Sequence, residues 1–306
     1  MPGAPASSQG RGSSLRIWLM AARPRTLPAA VAPVLVGTAL AWTVENGDLD
    51  WIAFAAAMLG ALFIQVGTNL SNDYSDARRG ADTDDRLGPV RVTAGGLVPP
   101  RQVLVATYVS FGLAVLCGVY LIAVAGWVLL AIGAASILAG ILYTGGPRPY
   151  GYEGLGEVFV FLFFGVVAVT GSSYVQIQDL PWEAIVLAVP VGLLASAILV
   201  VNNVRDLETD RRAGKRTLAV RLGRERTRTL YAAMLLAAYV TALLPFALGS
   251  LSGWLALTWL TAPLAVRLQR TVRTHTDGPT LNEALAGTGR LEFLFCLLLA
   301  LGLLLS

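Results

Sequence analysis

The chain has 306 residues, of which 55% are hydrophobic and only 14% charged, with a mean hydropathy of +0.64. Soluble domains carry about 25% charged residues, so the composition excludes a soluble globular protein and indicates a multi-spanning α-helical membrane protein. The net charge of +4 does not point to nucleic acid as a partner, because the basic residues alternate with apolar runs and so report topology in a lipid bilayer.

Residues 1–15, rich in Gly, Ser and Ala, are expected to form a disordered tail, with 16–306 as a single membrane-embedded domain. No short apolar core ending in a cleavage site is recognised there, so no leader peptide is expected. Arg16 to Thr26 reads as an interfacial segment with Trp18 at the water boundary. A first span follows at 27–44, interrupted by Pro28 and Pro33, which membrane helices tolerate when neighbours satisfy the freed carbonyls. Further spans are expected at 51–75, 102–124, 127–144, 155–175, 183–203, 228–248, 252–268 and 290–306. That makes about nine, at about 20 residues for each crossing. Cys117 and Cys296 sit inside apolar runs without disulfide or metal spacing. The single His275 lies in a polar loop, which argues against an imidazole-based site.

Charge placement sets the orientation. With the N-terminus inside, the outer loops 45–50, 125–126, 176–182 and 249–251 contain Glu45, Asp48, Asp50 and Asp179 but no Lys or Arg. The positive-inside rule then puts the remaining loops, and with them the N-terminus, on the cytoplasmic side of the cell membrane.

Two acidic clusters fall on that inner side, each closing a long apolar run. The first is Asn69-Leu70-Ser71-Asn72-Asp73-Tyr74-Ser75-Asp76, trailing into Asp82, Asp84 and Asp85. The second is Asn202-Asn203-Val204-Arg205-Asp206-Leu207-Glu208-Thr209-Asp210. At about 100° per residue, Asn69, Asn72, Asp73 and Asp76 share one helical face, and Asn202, Asp206 and Asp210 stack on another. Each cluster leads into a basic loop, with Arg91 after the first and Lys215-Arg216 after the second. The correspondence amounts to a weak internal repeat whose halves would face one cavity.

Carboxylates at the end of a membrane helix are expensive to desolvate unless a cation or a water-filled cavity holds them. Facing sets of oxygen ligands suit Mg²⁺, which commonly bridges protein carboxylates to substrate phosphates. The sequence therefore points to a membrane enzyme that binds a diphosphate ester through Mg²⁺. The bland alternative is a pair of solvated helix ends or salt bridges to neighbouring Arg. Two similar motifs on one membrane side, each with Asn on the acidic face, weigh against it. A cation-coupled transporter also uses intramembrane acids and internal repeats, but places them near the bilayer midplane. A CDP-alcohol phosphotransferase would show an Asp-Gly-x-x-Ala-Arg signature, which is missing.

The Asn-Asp-x-x-Asp of Asn72–Asp76 and the Asp-x-x-x-Asp of Asp206–Asp210, each closing a span, resemble the UbiA superfamily of intramembrane aromatic prenyltransferases. The resemblance covers nearly the whole chain. Three stretches are more particular: Ala22-Arg23-Pro24-Arg25-Thr26-Leu27-Pro28, Asn72–Asp76 with Gly80-Ala81-Asp82, and Asp85-Arg86-Leu87-Gly88-Pro89-Val90-Arg91. These look like the branch that acts on 1,4-dihydroxy-2-naphthoate in menaquinone formation. The 4-hydroxybenzoate branch would usually carry a longer acidic extension after the first motif; Gly80 stands at that spacing here.

The resemblance implies an enzyme that transfers a polyprenyl group from an allylic polyprenyl diphosphate to 1,4-dihydroxy-2-naphthoate, with loss of CO₂. It further implies that Asn69, Asn72, Asp73 and Asp76 hold one Mg²⁺ and that Asp206 and Asp210 hold another. The catalytic set expected on this basis is Asp73, Asp76, Asp206 and Asp210. Arg23, Arg91, Lys215 and Arg216 are the expected diphosphate contacts, since Arg forks match phosphate oxygens and Lys supplies a point charge. Asn69, Asn72 and Asn202 are expected at the substrate as well. Asp82, Asp84 and Asp85 are candidates for outer-shell oxygens. The aromatic loop 143–152, with Tyr143 as its first member, is expected to cover the site and shield a carbocation from water. Another aromatic acceptor, such as 4-hydroxybenzoate, is the nearest competing substrate.

Overall fold

A computed structural model describes residues 14–45, 47–81 and 87–306, all of whose regular elements are helical. The principal helices are α1 (Ser14–Ala22), α2 (Pro28–Val44), α3 (Trp51–Arg78), α4 (Pro100–Ala125) and α5 (Val128–Leu142). They are followed by α6 (Gly156–Ile177), α7 (Trp182–Arg212), α8 (Arg224–Ala247), α9 (Ala262–Thr274) and α10 (Gly278–Leu304). Residues 1–13 of the expected tail lie outside the described residues, as do Asp82, Asp84 and Asp85; Ser14 and Leu15 already belong to α1.

Among the described residues, six helices (α3, α4, α6, α7, α8 and α10) are long and apolar enough to cross a bilayer, and the α1–α2 pair, bent by 50°, makes a seventh. By length and apolar composition the expected count of about nine is not confirmed. The 127–144 segment forms only the 15-residue α5, about 22 Å long at 1.5 Å per residue, against a hydrocarbon core of about 30 Å. The 252–268 segment breaks into a 3₁₀ stretch, Gly253–Thr261, and the start of α9. The last helix begins at Gly278 rather than near 290. Its first turns carry Asn282, Glu283, Thr288 and Glu292, which lower the hydropathy of the segment. Thr288 and Glu292 face inward: both are buried, and Thr288 pairs with the Tyr231 hydroxyl at 2.9 Å.

Helix ends are set by local chemistry. Pro28 and Pro100 start α2 and α4, where the missing N–H would have had no intrahelical partner. Asp50 caps α3 by accepting from the N–H groups of Ile52 and Ala53, both at 2.9 Å. Asp277 caps α10 through the N–H of Thr280.

Helix α7 is the central post. Two thirds (67%) of its apolar window is buried, compared with 22% for α3. It is apolar all round, through Leu187, Val191, Leu194, Val200 and Val204, as a helix enclosed by others must be. Helices α6, α8 and α10 pack around it, and α2 lies against α6 and α10. Two of these crossings rely on glycine. A methyl group on Gly37 of α2 would lie 2.2 Å from the Val169 carbonyl oxygen of α6, and one on Gly165 of α6 would lie 2.5 Å from the Gly192 Cα of α7. Close backbone approach through small residues is the usual membrane solution, where lipid offers no hydrophobic drive for helices to associate.

The two ends of the bundle differ in character. At one end the expected outer loops meet: the Asp50 N–H donates to Gln176 Oε1 at 2.9 Å, Tyr120 donates to Asp50 Oδ2 at 3.3 Å, and Gln178 donates to the Val124 carbonyl at 3.1 Å. The opposite end collects the C-termini of α3 and α7 with both acidic motifs.

Candidate active site

Helices α3 and α7 run on past their apolar cores into polar turns. Burial of that polar stretch distinguishes it from an ordinary frayed end. Asn69, Asn72, Asp73, Asp76, Asp206 and Asp210 are all at most 9% exposed. They line one cavity of about 860 Å³, together with Arg23, Arg91, Tyr143, Asn202 and Lys215. Among the described residues, the structure thus brings together the expected site residues except Arg216, which is exposed and lies off the cavity wall. Arg216 instead uses its backbone, its N–H donating to the Tyr152 carbonyl at 2.8 Å.

Each carboxylate has its own partner. Asp73 accepts from the N–H groups of Val92 and Thr93, at 3.1 and 2.9 Å, so it anchors the turn that carries Arg91. Asp76 receives the Arg91 guanidinium at 3.1 Å and the Tyr152 hydroxyl at 2.6 Å. Across the cavity, Asp206 is gripped by Arg205, whose Nε and Nη2 donate at 2.7 and 2.5 Å. The same guanidinium donates to Asn202 Oδ1 at 2.8 Å and to Asn282 Oδ1 of α10 at 2.6 Å. Asp210 faces Lys215 Nζ at 3.9 Å. Burying four acids without such partners would cost several kcal/mol each.

The asparagines position the walls. Asn69 donates to the Ala22 carbonyl at 2.9 Å and to the Thr26 hydroxyl at 3.1 Å, tying α3 to the α1–α2 bend. At that bend Arg23 adopts φ 54°, a left-handed conformation uncommon outside glycine, and its side chain reaches the cavity. Strain of this kind clusters at functional sites, where surrounding structure enforces it. Asn72 Oδ1 accepts from the Thr144 hydroxyl at 2.9 Å, which fixes the start of the aromatic loop.

That loop links the two motifs. Tyr152 donates to Asp76 on one side, and Lys215 sits over its ring at 4.7 Å on the other. Arg79, at the end of α3, donates to the Thr144 carbonyl at 3.1 Å and to the Gly146 carbonyl. Burial pushes the Tyr150 hydroxyl pKa upward, so it stays protonated and donates to the Ala139 carbonyl at 2.8 Å. The Tyr150 ring stacks on Phe159 with centroids 3.9 Å apart, and Phe163 continues the stack at 6.1 Å. All three rings line the cavity, which then extends between α3, α4 and α5 past Gly60, Val119 and Ile132.

Sequence reasoning missed Arg205, Asn282 and Tyr152 as individual members of the site. Arg205 was legible as a cation set inside an acidic membrane helix end. Asn282 carried no signal, because it reaches the site only through the packing of α10 on α7.

The oxygen-rich donor set suits a hard divalent cation. Among the described residues no three His, Cys, Asp or Glu side chains converge on one point. An ion here would be held by one or two carboxylates and amide oxygens, with its other positions left to phosphate and water, the usual manner of Mg²⁺.

Comparison with known proteins agrees with this geometry. Residues 30–286 match the model of the UbiA prenyltransferase family. A 1,4-dihydroxy-2-naphthoate octaprenyltransferase of Mycobacterium tuberculosis is 44% identical over 94% of this chain and 97% of its own. The enzyme of the same name from Escherichia coli is 41% identical over 96% and 97%. Among solved structures, a UbiA homolog from Archaeoglobus fulgidus bound to GPP and Mg²⁺ superposes with a TM-score of 0.66 at 15% identity, covering 95% of this chain and all of its own. A UbiA homolog from Aeropyrum pernix K1 superposes with a TM-score of 0.66 at 14% identity, over 92% and 96%. From motif, fold and relatives alike, this multi-pass membrane chain belongs to the UbiA prenyltransferase family.

Proposed function

We propose that the protein transfers a polyprenyl group from an allylic polyprenyl diphosphate to 1,4-dihydroxy-2-naphthoate, releasing CO₂ and diphosphate and giving demethylmenaquinone. One observation carries the reading. Two buried acid-and-amide helix ends face each other across a single cavity whose remainder is apolar and aromatic. A diphosphate requires the first part and an isoprenoid chain the second. The choice of naphthoate rests on relatives of that name at 41–44% identity.

On this reading the whole of 16–306 acts as one membrane-embedded domain. Asn69, Asn72, Asp73 and Asp76 would hold one Mg²⁺, and Asp206 and Asp210 a second, with Asn202 supporting Asp206. Bound Mg²⁺ supplies Lewis-acid charge to a diphosphate that becomes more negative as its C–O bond breaks. Arg91 and Lys215 are already aimed at the cavity by Asp76 and Asp210, so they contribute fixed positive charge with little reorganisation. Arg23 enters from the α1–α2 bend, beside Asn69. Arg216, exposed here, is retained only as a residue that buttresses Tyr152 through its backbone. The aromatic loop and the Tyr150–Phe159–Phe163 stack exclude water from an allylic cation and face it with ring quadrupoles. Tyr143 sits where these rings meet the acidic pole. The loops rich in Lys and Arg support a position for the site, and for the N-terminus with it, on the cytoplasmic face of the cell membrane.

The test is to supply membranes containing the protein with Mg²⁺, a polyprenyl diphosphate and either naphthoate or 4-hydroxybenzoate, and to identify products by mass spectrometry. Demethylmenaquinone from the naphthoate alone is the expected result. Product from 4-hydroxybenzoate alone would overturn the acceptor while leaving the diphosphate chemistry in place.

A further inference from the structure

One amide on the cavity wall lies outside the diphosphate set. Gln65 of α3 stands one turn from Asn69 on the same helical face, about 6 Å further from the acidic pole at 1.5 Å per residue. It is 8% exposed and lines the cavity. Both amides are tied to one hydroxyl at the α1–α2 bend. Thr26 Oγ1 accepts from Asn69 Nδ2 at 3.1 Å and from Gln65 Nε2 at 3.2 Å. Its own O–H is committed to the Arg23 carbonyl at 3.0 Å.

That commitment decides which way the amides point. A hydroxyl has one donor and two acceptor lone pairs. With its proton on Arg23, Thr26 can only accept, and turning either amide round would set oxygen against oxygen. Gln65 Oε1 is therefore held away from Thr26. Among the described residues nothing donates to it. Unlike the sealed polar atoms of the protein, it keeps access to the cavity. An acceptor oxygen between the acidic pole and the apolar chamber calls for a ligand with a donor. The prenyl chain has none, and diphosphate oxygens are repelled. A hydroxylated aromatic ring supplies one. Its carbon must also come within about 3–3.5 Å of the allylic carbon it attacks, which puts the ring just inside the acidic pole, at the level of Gln65.

We propose that Gln65 Oε1 accepts a hydrogen bond from a ring hydroxyl of the aromatic acceptor, and that Thr26 is the positioning residue that holds the amide in that orientation. The inference rests on the prenyl-transfer reading above. One hydroxyl thereby turns the Asn69 oxygen toward the diphosphate end and the Gln65 oxygen toward the ring, which fixes the spacing of the two subsites.

The test uses the full-length protein in membranes, with KM measured separately for the naphthoate and for the polyprenyl diphosphate. Two analogues, 1-hydroxy-2-naphthoate and 4-hydroxy-2-naphthoate, each lack one ring hydroxyl, and their inhibition constants are measured against the naphthoate. Gln65→Met keeps the length of the side chain and removes its oxygen. It is expected to raise the naphthoate KM by about 10-fold, the scale of one buried hydrogen bond, with the diphosphate KM unchanged. It is also expected to weaken, by about 10-fold, only the analogue that retains the bonded hydroxyl. Thr26→Val frees the amide and is expected to give the same one-sided loss, whereas Thr26→Ser keeps the oxygen and is expected to match the wild type. The Thr26 pair leaves Gln65 in place, so it decides the matter even if Gln65→Met does not fold. Equal weakening of both analogues, weakening of neither, or an equal rise in both KM values would overturn the proposal. A one-sided loss in Gln65→Met that is missing from Thr26→Val would overturn the part assigned to Thr26. Absence of product from the wild-type protein would instead refute the prenyl-transfer reading itself.

Discussion

Arg205 is the residue on which the second acidic cluster turns. It is 3% exposed and spends its guanidinium on Asp206, Asn202 and Asn282, so it joins α7 to α10 while neutralising an acid. Replacing it with Met would leave the Asp206 carboxylate buried without its partner. Removing one member of such a pair costs about 3–5 kcal/mol, so Arg205→Met is expected to lower the unfolding temperature of the detergent-solubilised protein sharply. A melting curve matching the wild type would show that Asp206 is solvated. At this scale the sequence was informative for the acids and amides, because expensive groups at membrane helix ends announce themselves. It was less informative for their partners. Tyr152 and Asn282 reach the site through tertiary packing, and Arg216 fails to reach it because the turn after α7 leaves its side chain exposed.

Between elements, glycine contacts set the shape of the cavity. At Gly37 an added Cβ meets a backbone carbonyl, which cannot rotate away, so α2 and α6 would have to separate. Gly37→Val is expected to destabilise the fold by at least about 1–3 kcal/mol, the usual cost of overpacking. Gly118→Ala, where nothing lies within 4 Å, is expected to hold or slightly raise stability, by up to about 1 kcal/mol, because Ala favours a helix interior over Gly; comparing the two melting temperatures checks both statements. Element boundaries were legible where apolar runs were long and broken by charge, as for α3, α4 and the start of α7. They were not legible for α10, where inward-facing Thr288 and Glu292 hide a helix from hydropathy. Nor were they for 252–268, where an apolar run forms a 3₁₀ stretch instead of a full span. Periodicity reports burial and polarity, and neither fixes the type of helical turn.

For the whole molecule, the charge pattern predicts orientation. Asp48 and Asp179 lie in loops without Lys or Arg, whereas Arg211 follows the second acidic motif. In a background lacking Cys117 and Cys296, Asp48→Cys is expected to react with a membrane-impermeant thiol reagent on intact cells. Arg211→Cys is expected to react only after permeabilisation. The reverse pattern would place the acidic motifs outside. The same whole-molecule view explains why two sequence-distant clusters form one site: α3 and α7 end at the same face of the bundle, and the aromatic loop spans the gap between them through Tyr152.

The central claim is that both helix ends act together on one diphosphate through a divalent ion. The most direct measurement is the prenyl-transfer rate of purified protein during Mg²⁺ titration after EDTA treatment, for the wild type, Asp76→Asn and Asp206→Asn. No turnover in EDTA, recovery with Mg²⁺, and a loss of about 100-fold or more in kcat for each variant are predicted, on the scale of removing a preorganised electrostatic partner. Full turnover in EDTA, or a wild-type rate in Asp206→Asn, would contradict it.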